Sequence, residues 1–316
     1  VPLIVDCDPG IDDAITLFVA LASPELDVRA VTVVSGNVPV EASLANALRV
    51  VERSVRPDVP VHAGCFRPLV RAPIRGQFSG VGGLGKSSLP PPAKAAAARH
   101  AVPFLVETLI AAGRAGAPLT LAALGPLTNV AAALRHGPEV AAGIARIVLM
   151  GGAYREAGNR TMAAEFNILA DPHAAEIVFG SGLPIVALGL DATHQAIATP
   201  ARVAAIRAAG GPVATLIGDL LSFWDRKDPA RYGSEGGPLH DPLVVAWLLR
   251  PDLFGSRRAA VFVQHESEIA MGQTLADWWG KTDRPATVDI VDRVDADGVF
   301  ALITDRLGPT FQRSAA

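Results

Sequence analysis

Apolar positions along this chain fall into two alternating rhythms. Leu3-Ile4-Val5 is a continuous apolar run, and Ala14, Leu17, Phe18 and Leu21 follow it at helical spacing. Val28 to Val34 reads as a second buried strand, and residues 41–55 regain the helical period. Val59 to Ala63 is a third, short strand, followed by an irregular stretch over 64–99 rich in Gly and Pro. Ala101 to Ala112 predicts a helix and Leu119 to Leu124 a strand. Gly125-Pro126 then turns the chain, and Thr128 is placed to cap a helix reaching about His136. Ile144 to Met150 is another apolar strand, Asp171-Pro172-His173 opens a helix to Phe179, and Pro184 to Leu190 is a further strand. The remainder is more helical (199–208, 212–226, 240–249). It closes with strand-like segments near 259–264 and 286–291 and a last helix over 296–306.

Five apolar strands separated by helices are what a parallel sheet covered on both faces requires. The expected fold is therefore α/β: an open, mostly parallel, Rossmann-like sheet. No internal repeat or clean linker breaks it, so residues 1–316 read as a single domain. With half its residues hydrophobic and 19% charged, the chain has the material for such a core. A formal charge of −3 argues against a dedicated nucleic-acid binder. No apolar run reaches the roughly 18 residues needed to span a bilayer, and none reads as a secretion leader. Two cysteines, Cys7 and Cys65, make no disulfide framework and no zinc spacing. A soluble, reducing, cytoplasmic setting is the expectation.

The candidate chemistry concentrates at the first strand-to-helix turn, Asp6-Cys7-Asp8-Pro9-Gly10-Ile11-Asp12-Asp13-Ala14. Four carboxylates at one bend repel each other, and a helix N-terminus offsets only about 0.3–1 kcal/mol per acid. A divalent cation with hard oxygen ligands, calcium or magnesium, would supply the rest. The alternative is that Asp12 or Asp13 merely caps the helix and the others are solvated, although a cap does not need Asp6 and Asp8 on the preceding strand.

In an open parallel sheet, ligands sit beyond the carboxyl ends of the strands. Asp8, Asn37, the Leu124-Gly125 turn and Gly151-Gly152 fall at such ends, though Asn37 also suits a plain turn. The loop after Met150 carries Asn159, Glu165 and Asn167 around Phe166, a mix of donors, acceptors and one aromatic ring that suits a sugar. His240-Asp241-Pro242 precedes an apolar helix, where Asp241 is either an N-cap or a distant metal ligand. Gly80 to Ser87 satisfies the pattern of a phosphate-binding loop. Leu89-Pro90-Pro91-Pro92 cannot start the helix that mechanism needs, so a glycine-rich flap near the site is the better reading.

These motifs together resemble the nucleoside hydrolase family, which cleaves the N-glycosidic bond of ribonucleosides. The resemblance rests on the first turn and on Ser35-Gly36-Asn37, Leu124 to Asn129, Val148 to Gly152, Ala164 to Asn167 and His240-Asp241-Pro242, spread over nearly the whole chain. It implies a Ca2+-dependent enzyme of the inosine–uridine-preferring type, acting as a homodimer or homotetramer. Asp8, Asp13, Asp241 and the Leu124 carbonyl would hold the calcium, and Asp8 would also take a proton from a water held by the metal. Asp12, Asn37, Asn159, Glu165 and Asn167 match ribose contacts, with Met150 and Phe166 in the same pocket. His240 matches the residue that assists the departing base. Asp6 would orient Asp8 or its loop.

The sequence departs from the family pattern in two places. Ser79 stands where many relatives carry a His, and Ser222 to Lys227 replaces a tyrosine-bearing helix, with Arg231-Tyr232 following. Trp224, Trp247, Trp278 and Trp279 are candidates for base stacking by type only, and Trp247 reads as core. Two other functions stay open at this point. One is a nucleoside-binding protein without turnover. The other is a haloacid-dehalogenase-type Mg2+ phosphatase, which would place Thr shortly after the second Asp, where Pro9-Gly10-Ile11 stands.

Overall fold

The computed structural model describes residues 1–76, 80, 82–86, 89–223 and 236–308. In chain order the elements are β1 (Pro2–Cys7), α1 (Ile11–Ala22), β2 (Asp27–Val33), α2 (Val40–Arg53), β3 (Val61–Ala63), α3 (Ala101–Arg114) and β4 (Leu119–Ala123). Then come α4 (Thr128–Leu134), α5 (Pro138–Ala141), β5 (Ile144–Met150), α6 (Phe166–Ala170), α7 (Pro172–Phe179), β6 (Ile185–Leu188), α8 (Leu190–Thr193) and β7 (Ile197–Ala198). The last part holds α9 (Pro200–Ala208), α10 (Gly211–Phe223), β8 (Gly237–Pro238), α11 (Pro242–Leu249), β9 (Phe254–Val263), β10 (Thr274–Asp277), β11 (Val288–Val294) and α12 (Ala296–Arg306).

Nine strands form one sheet in the order β10-β9-β11-β6-β5-β4-β1-β2-β3. All pairs from β11 through β3 are parallel, while β9 runs antiparallel to β11 and to β10. The run β3-β2-β1-β4-β5-β6 reverses direction of growth at β1, so β1 and β4 lie side by side although they lie more than a hundred residues apart in the chain. A crevice opens beyond the carboxyl ends at such a switch point.

Strand alternation explains the two-sided core. Leu3, Val5 and Cys7 point to one face, where α1, α2 and α10–α12 pack, while Ile4 points to the other with α3, α4 and α7. Asp6 shares the second face, and its partners are there: Thr32 Oγ1 and Asn129 Nδ2 both donate to its Oδ1, at 2.5 and 2.8 Å.

Two expectations need correction. Thr128 does not cap α4; Leu127 does, and the Thr128 hydroxyl donates instead to Asp171 Oδ2 at 2.8 Å. The strand expected over Pro184–Leu190 stops at Leu188, because Gly189 turns the chain and Leu190 begins α8. Of the closing strands, β11 is parallel to β6 and antiparallel to β9, and β10, antiparallel to β9, is too short and too polar over Thr274–Asp277 to show a period in the sequence. As expected of a segment that is not a phosphate-binding loop, no strand leads into Gly80 and no helix begins over 89–99 among the described residues.

Candidate active site

Beyond the ends of β1, β2, β4 and β5, one solvent-open cleft of about 560 Å3 is lined by residues from across the chain. Asp12, Asp13, Asn37, Leu124, Met150, Asn159, Glu165, Phe166, Asn167, His240 and Asp241 all line it, together with Ile11, Gly76 and Arg160. Asp8 lies behind that lining, fully buried.

The backbone around the first turn is built to orient carboxylates. The N–H groups of Asp8 and Gly10 donate to the two oxygens of Asp13, at 3.1 and 3.0 Å. Asp13 therefore closes the open end of α1 from inside its first turn. The Asn37 backbone amide donates to Asp8 Oδ2 at 2.5 Å, whereas Asp8 Oδ1 is buried with no hydrogen-bond partner among the described residues. Asp12 Oδ2 accepts the His240 N–H at 3.1 Å, a bond across 228 residues. Asp13 thus does cap α1, but Asp6, Asp8 and Asp12 are buried and not solvated as that alternative required, and the Asp241 side chain makes no cap bond to α11.

Burial raises the pKa values of Asp6, Asp8, Asp13 and Asp241. Desolvation and the Asp13 charge push Asp8 well above the usual carboxylate range. Burial likewise raises Asp13, against the pull of the Gly10 and Asp8 amides. Burial and the charges of Asp13, Asp12 and Asp8 push Asp241 well above the usual carboxylate range, and its side chain shares a hydrogen bond with Asp13. Asp6 is pushed by burial to about 7 despite its two donors. Its partners Thr32 and Asn129 make it a tie between β1, β2 and α4, and Asn129 extends that tie by accepting the Cys65 N–H at 2.8 Å.

The fit of a cation can be judged on these groups. Asp8, Asp13, Asp241 and the Leu124 carbonyl offer only hard oxygen donors, and Asp8 Oδ1 is an orphaned, buried acceptor. Among the described residues no group of three or more His, Cys, Asp or Glu side chains is placed to hold a metal ion by itself. A cation here would rely on the mixed carboxylate, carbonyl and ligand oxygens that calcium accepts. The donor set fits.

On the opposite wall, Glu165 caps α6: Oε1 accepts the Asn167 N–H at 2.9 Å, and Oε2 accepts from Ile168 and Gly152 at 3.2 and 3.1 Å. Its charge is fixed in place, and 2% of the residue is exposed. The Asn167 side-chain amide donates to the carbonyls of Leu124 and Met150, at 2.7 and 3.1 Å, tying the cleft wall to the ends of β4 and β5. Asn159 Oδ1 accepts the Phe166 N–H at 3.0 Å.

His240 is 5% exposed, and its Nδ1 lies 2.8 Å from the Thr193 hydroxyl. Sequence reasoning missed Thr193, Ile11, Gly76 and Arg160. It also missed Asn46, which donates to the carbonyls of Pro9 and Gly82 at 3.0 and 2.8 Å and so fastens the glycine-rich segment to the first turn. Of the four tryptophans, Trp247 is half-buried beside the core under Arg146, Trp278 lies between Arg155 and Arg257, and Trp279 is exposed; none of these lines the cleft. Ser79, Trp224 and Arg231-Tyr232 lie outside the described residues.

A doubly covered parallel sheet with an acidic, oxygen-rich cleft at its switch point defines an α/β protein with its ligand site beyond the carboxyl ends of the strands. Residues 3–301 match the family model described as inosine-uridine preferring nucleoside hydrolase. The pyrimidine-specific ribonucleoside hydrolase RihA of Salmonella agona is 43% identical over 308 residues, 97% of this chain and 98% of that protein. An uncharacterized protein of Schizosaccharomyces pombe is 44% identical over 313 residues, again 97% and 98% of the two chains. Among solved structures, the purine-preferring ribonucleoside hydrolase from Gardnerella vaginalis aligns with a TM-score of 0.90 at 30% identity, over 99% of this chain and 100% of that one. The chain belongs to the inosine–uridine preferring nucleoside hydrolase family and is a ribonucleoside hydrolase. The phosphatase alternative falls with that membership. No helix among the described residues is long and apolar enough to cross a membrane.

Proposed function

We propose that this enzyme hydrolyses the N-glycosidic bond of ribonucleosides with a calcium ion held by Asp8, Asp13, Asp241 and the Leu124 carbonyl, and that it prefers pyrimidine bases. The observation that carries the site is the convergence of three buried carboxylates, with Asp8 Oδ1 lacking any hydrogen-bond partner among the described residues. Bound there, calcium supplies positive charge that orients ribose hydroxyls and a water and lowers that water's pKa.

The chain's own residues do the rest. Cleaving the bond builds positive charge on the ribose, as in glycoside hydrolysis. Asp8 accepts the proton of the attacking water. Asp12, anchored through the His240 amide, takes a ribose hydroxyl. The fixed charge of Glu165 and the amide oxygens of Asn37, Asn159 and Asn167 face the developing positive charge, with Met150 and Phe166 packing on the sugar. His240 gives the departing base its proton.

Two lines support the pyrimidine preference. The pyrimidine-specific relative shares 43% of its sequence with this chain, against 30% for the purine-preferring one. In addition, no tryptophan among the described residues lines the cleft to stack a purine. A homodimer or homotetramer is the assembly the family resemblance suggests. The exposed Met162 and Leu275, which share a surface depression with Trp278, offer apolar area for it.

The test is a panel of common ribonucleosides, their 2′-deoxy forms and one nucleotide, with and without a calcium chelator, scored by release of free base. Release from uridine or cytidine that outpaces inosine and stops on chelation is expected. Tight binding without release would instead mark a nucleoside-binding protein, and chelator-insensitive turnover would remove the metal from the reading.

A further inference from the structure

The His240 ring is held from behind by a residue outside the cleft lining. Thr193 is fully buried, and its hydroxyl stands 2.8 Å from His240 Nδ1. With Nδ1 turned to Thr193, Nε2 is the ring nitrogen on the cleft side. We propose that Thr193 is the positioning residue for His240, aiming Nε2 at the leaving base through the whole reaction. This inference rests on the reading of His240 as the proton donor.

Three features make Thr193 a firm support. First, α8 is clamped at its start: Asp191 accepts the N–H groups of Tyr154 and Arg155, each at 2.8 Å, and the Leu190 N–H donates to the Gly152 carbonyl at 2.8 Å. Second, the chain leaving α8 pairs with the chain entering His240. Ile197 and Ala198 of β7 pair with Pro238 and Gly237 of β8, and the Leu239 N–H donates to the Ala196 carbonyl at 2.8 Å. Third, the His240 amide is itself fixed by Asp12. Backbone and ring are thus held from independent directions, which is what a donor group needs to stay aligned.

The chemistry of a hydroxyl suits this post better than any other small side chain. It both donates and accepts, so it can follow the ring through a change of protonation. As the C1′–N bond breaks, its electron pair passes to the base, which takes the Nε2 proton of the doubly protonated ring. The neutral ring keeps its second proton on Nδ1, donated to Thr193 Oγ1. The oxygen of water bonds to C1′, and Asp8 receives the proton that water gives up. When solvent exchange resets both groups, the same Thr193–His240 contact is still in place. Valine has the shape of threonine but neither donates nor accepts, so it fills the space and removes this hold on the ring.

The test compares Thr193→Val, Thr193→Ser and His240→Ala on two substrates, a natural ribonucleoside and a nitrophenyl riboside whose phenolate departs without a proton. Thr193→Val should lower kcat on the natural substrate about tenfold or more while KM holds within about twofold, because a misaligned donor loses rate rather than binding. On the nitrophenyl riboside kcat should change less than about twofold, and Thr193→Ser should restore the natural substrate. A split in His240→Ala with none in Thr193→Val would overturn the role of Thr193 alone. Equal losses on both substrates in both variants would overturn the His240 assignment and this inference with it. A serine variant no better than valine would likewise sink it, since packing would then be the only role left.

Discussion

Asp8 is walled in by two glycines, and adding one carbon to either should disable it. A Cβ built on Gly125 would lie 2.4 Å from Asp8 Oδ1, and one on Gly36 would lie 2.1 Å from Oδ2. Neither glycine has a positive φ, so the issue is close approach and not backbone strain. Side-chain contacts of this kind do not fall below 3.0 Å, so Gly125→Ala must push the carboxylate by at least about 0.6 Å. The carboxylate cannot simply rotate away, because Oδ2 is held by the Asn37 amide at 2.5 Å and the residue is fully buried. Overpacking a rigid site costs about 1–3 kcal/mol of stability. A misplacement approaching 1 Å costs on the order of 10²-fold in rate. Gly125→Ala should therefore keep its circular dichroism, melt a few degrees lower and lose roughly 30- to 100-fold in kcat at saturating calcium. Gly82→Ala is the control: its Cβ would meet nothing within 4 Å, so activity should hold. If Gly125→Ala kept activity within about threefold of the parent, the carboxylate would not be the rigid, aligned base argued for.

Asp8→Asn keeps an oxygen at the metal site but cannot take a proton, so turnover measured by free-base release should fall at least about 10²-fold; a variant with a tenth of parental activity would contradict the base role. Removing the substrate's 2′-hydroxyl should cost roughly 10⁴-fold in kcat/KM, since sites built around a hydroxyl reject analogues without it that strongly. Equal rates on uridine and 2′-deoxyuridine would refute the metal–ribose arrangement. Calcium at about a hundred times its Kd should stabilise the fold by about 2.7 kcal/mol, read as a rise in Tm. That rise should vanish in Asp241→Ala, and its persistence there would move the ion elsewhere.

Much of this could be read from the sequence because the residues lie where the topology concentrates function. The apolar runs located β1, β2, β4 and β5 because strands buried on both faces have no polar alternation to hide them. The rule that ligands gather at carboxyl ends then selected Asp8, Asn37 and Leu124 before any geometry was known. What stayed hidden was pairing between distant segments. Thr193 follows the end of β6 just as Asn37 follows β2, yet a lone threonine in Asp191-Ala192-Thr193-His194 shows nothing of the histidine 47 residues on that it supports. Arg160 sat inside the polar loop already marked out and was passed over because its neighbours Asn159 and Glu165 fitted a sugar more directly. Glu165 lines the cleft as its residue type suggested, but the sequence did not show that its oxygens also accept backbone amides of α6 and Gly152. Asp6 hid for the same reason, since only the pairing of β1 with β2 and α4 shows why a carboxylate belongs on that inner face.

The two ends of the cleft are one mechanical unit. The first turn of α1 carries Asp12 and Asp13, and the segment entering α11 carries His240 and Asp241. These two stretches are joined by the His240 amide on Asp12 and by the hydrogen bond that Asp13 and Asp241 share. A group proposed for the sugar thus positions the group proposed for the base, while the two groups proposed for the metal position each other. Proximity of this kind follows from the fold: α1 leaves the carboxyl end of β1 at the switch point, and α11 packs against it across one hydrophobic cluster. On the proposed roles Asp12 serves both the ribose and His240, so sugar recognition and leaving-group assistance could not be tuned separately through it. Changes in base preference should therefore arise in residues that touch the base alone. The carboxylate frame, held by two glycines, four backbone amides and its own neighbours, has little freedom to change without losing the reaction.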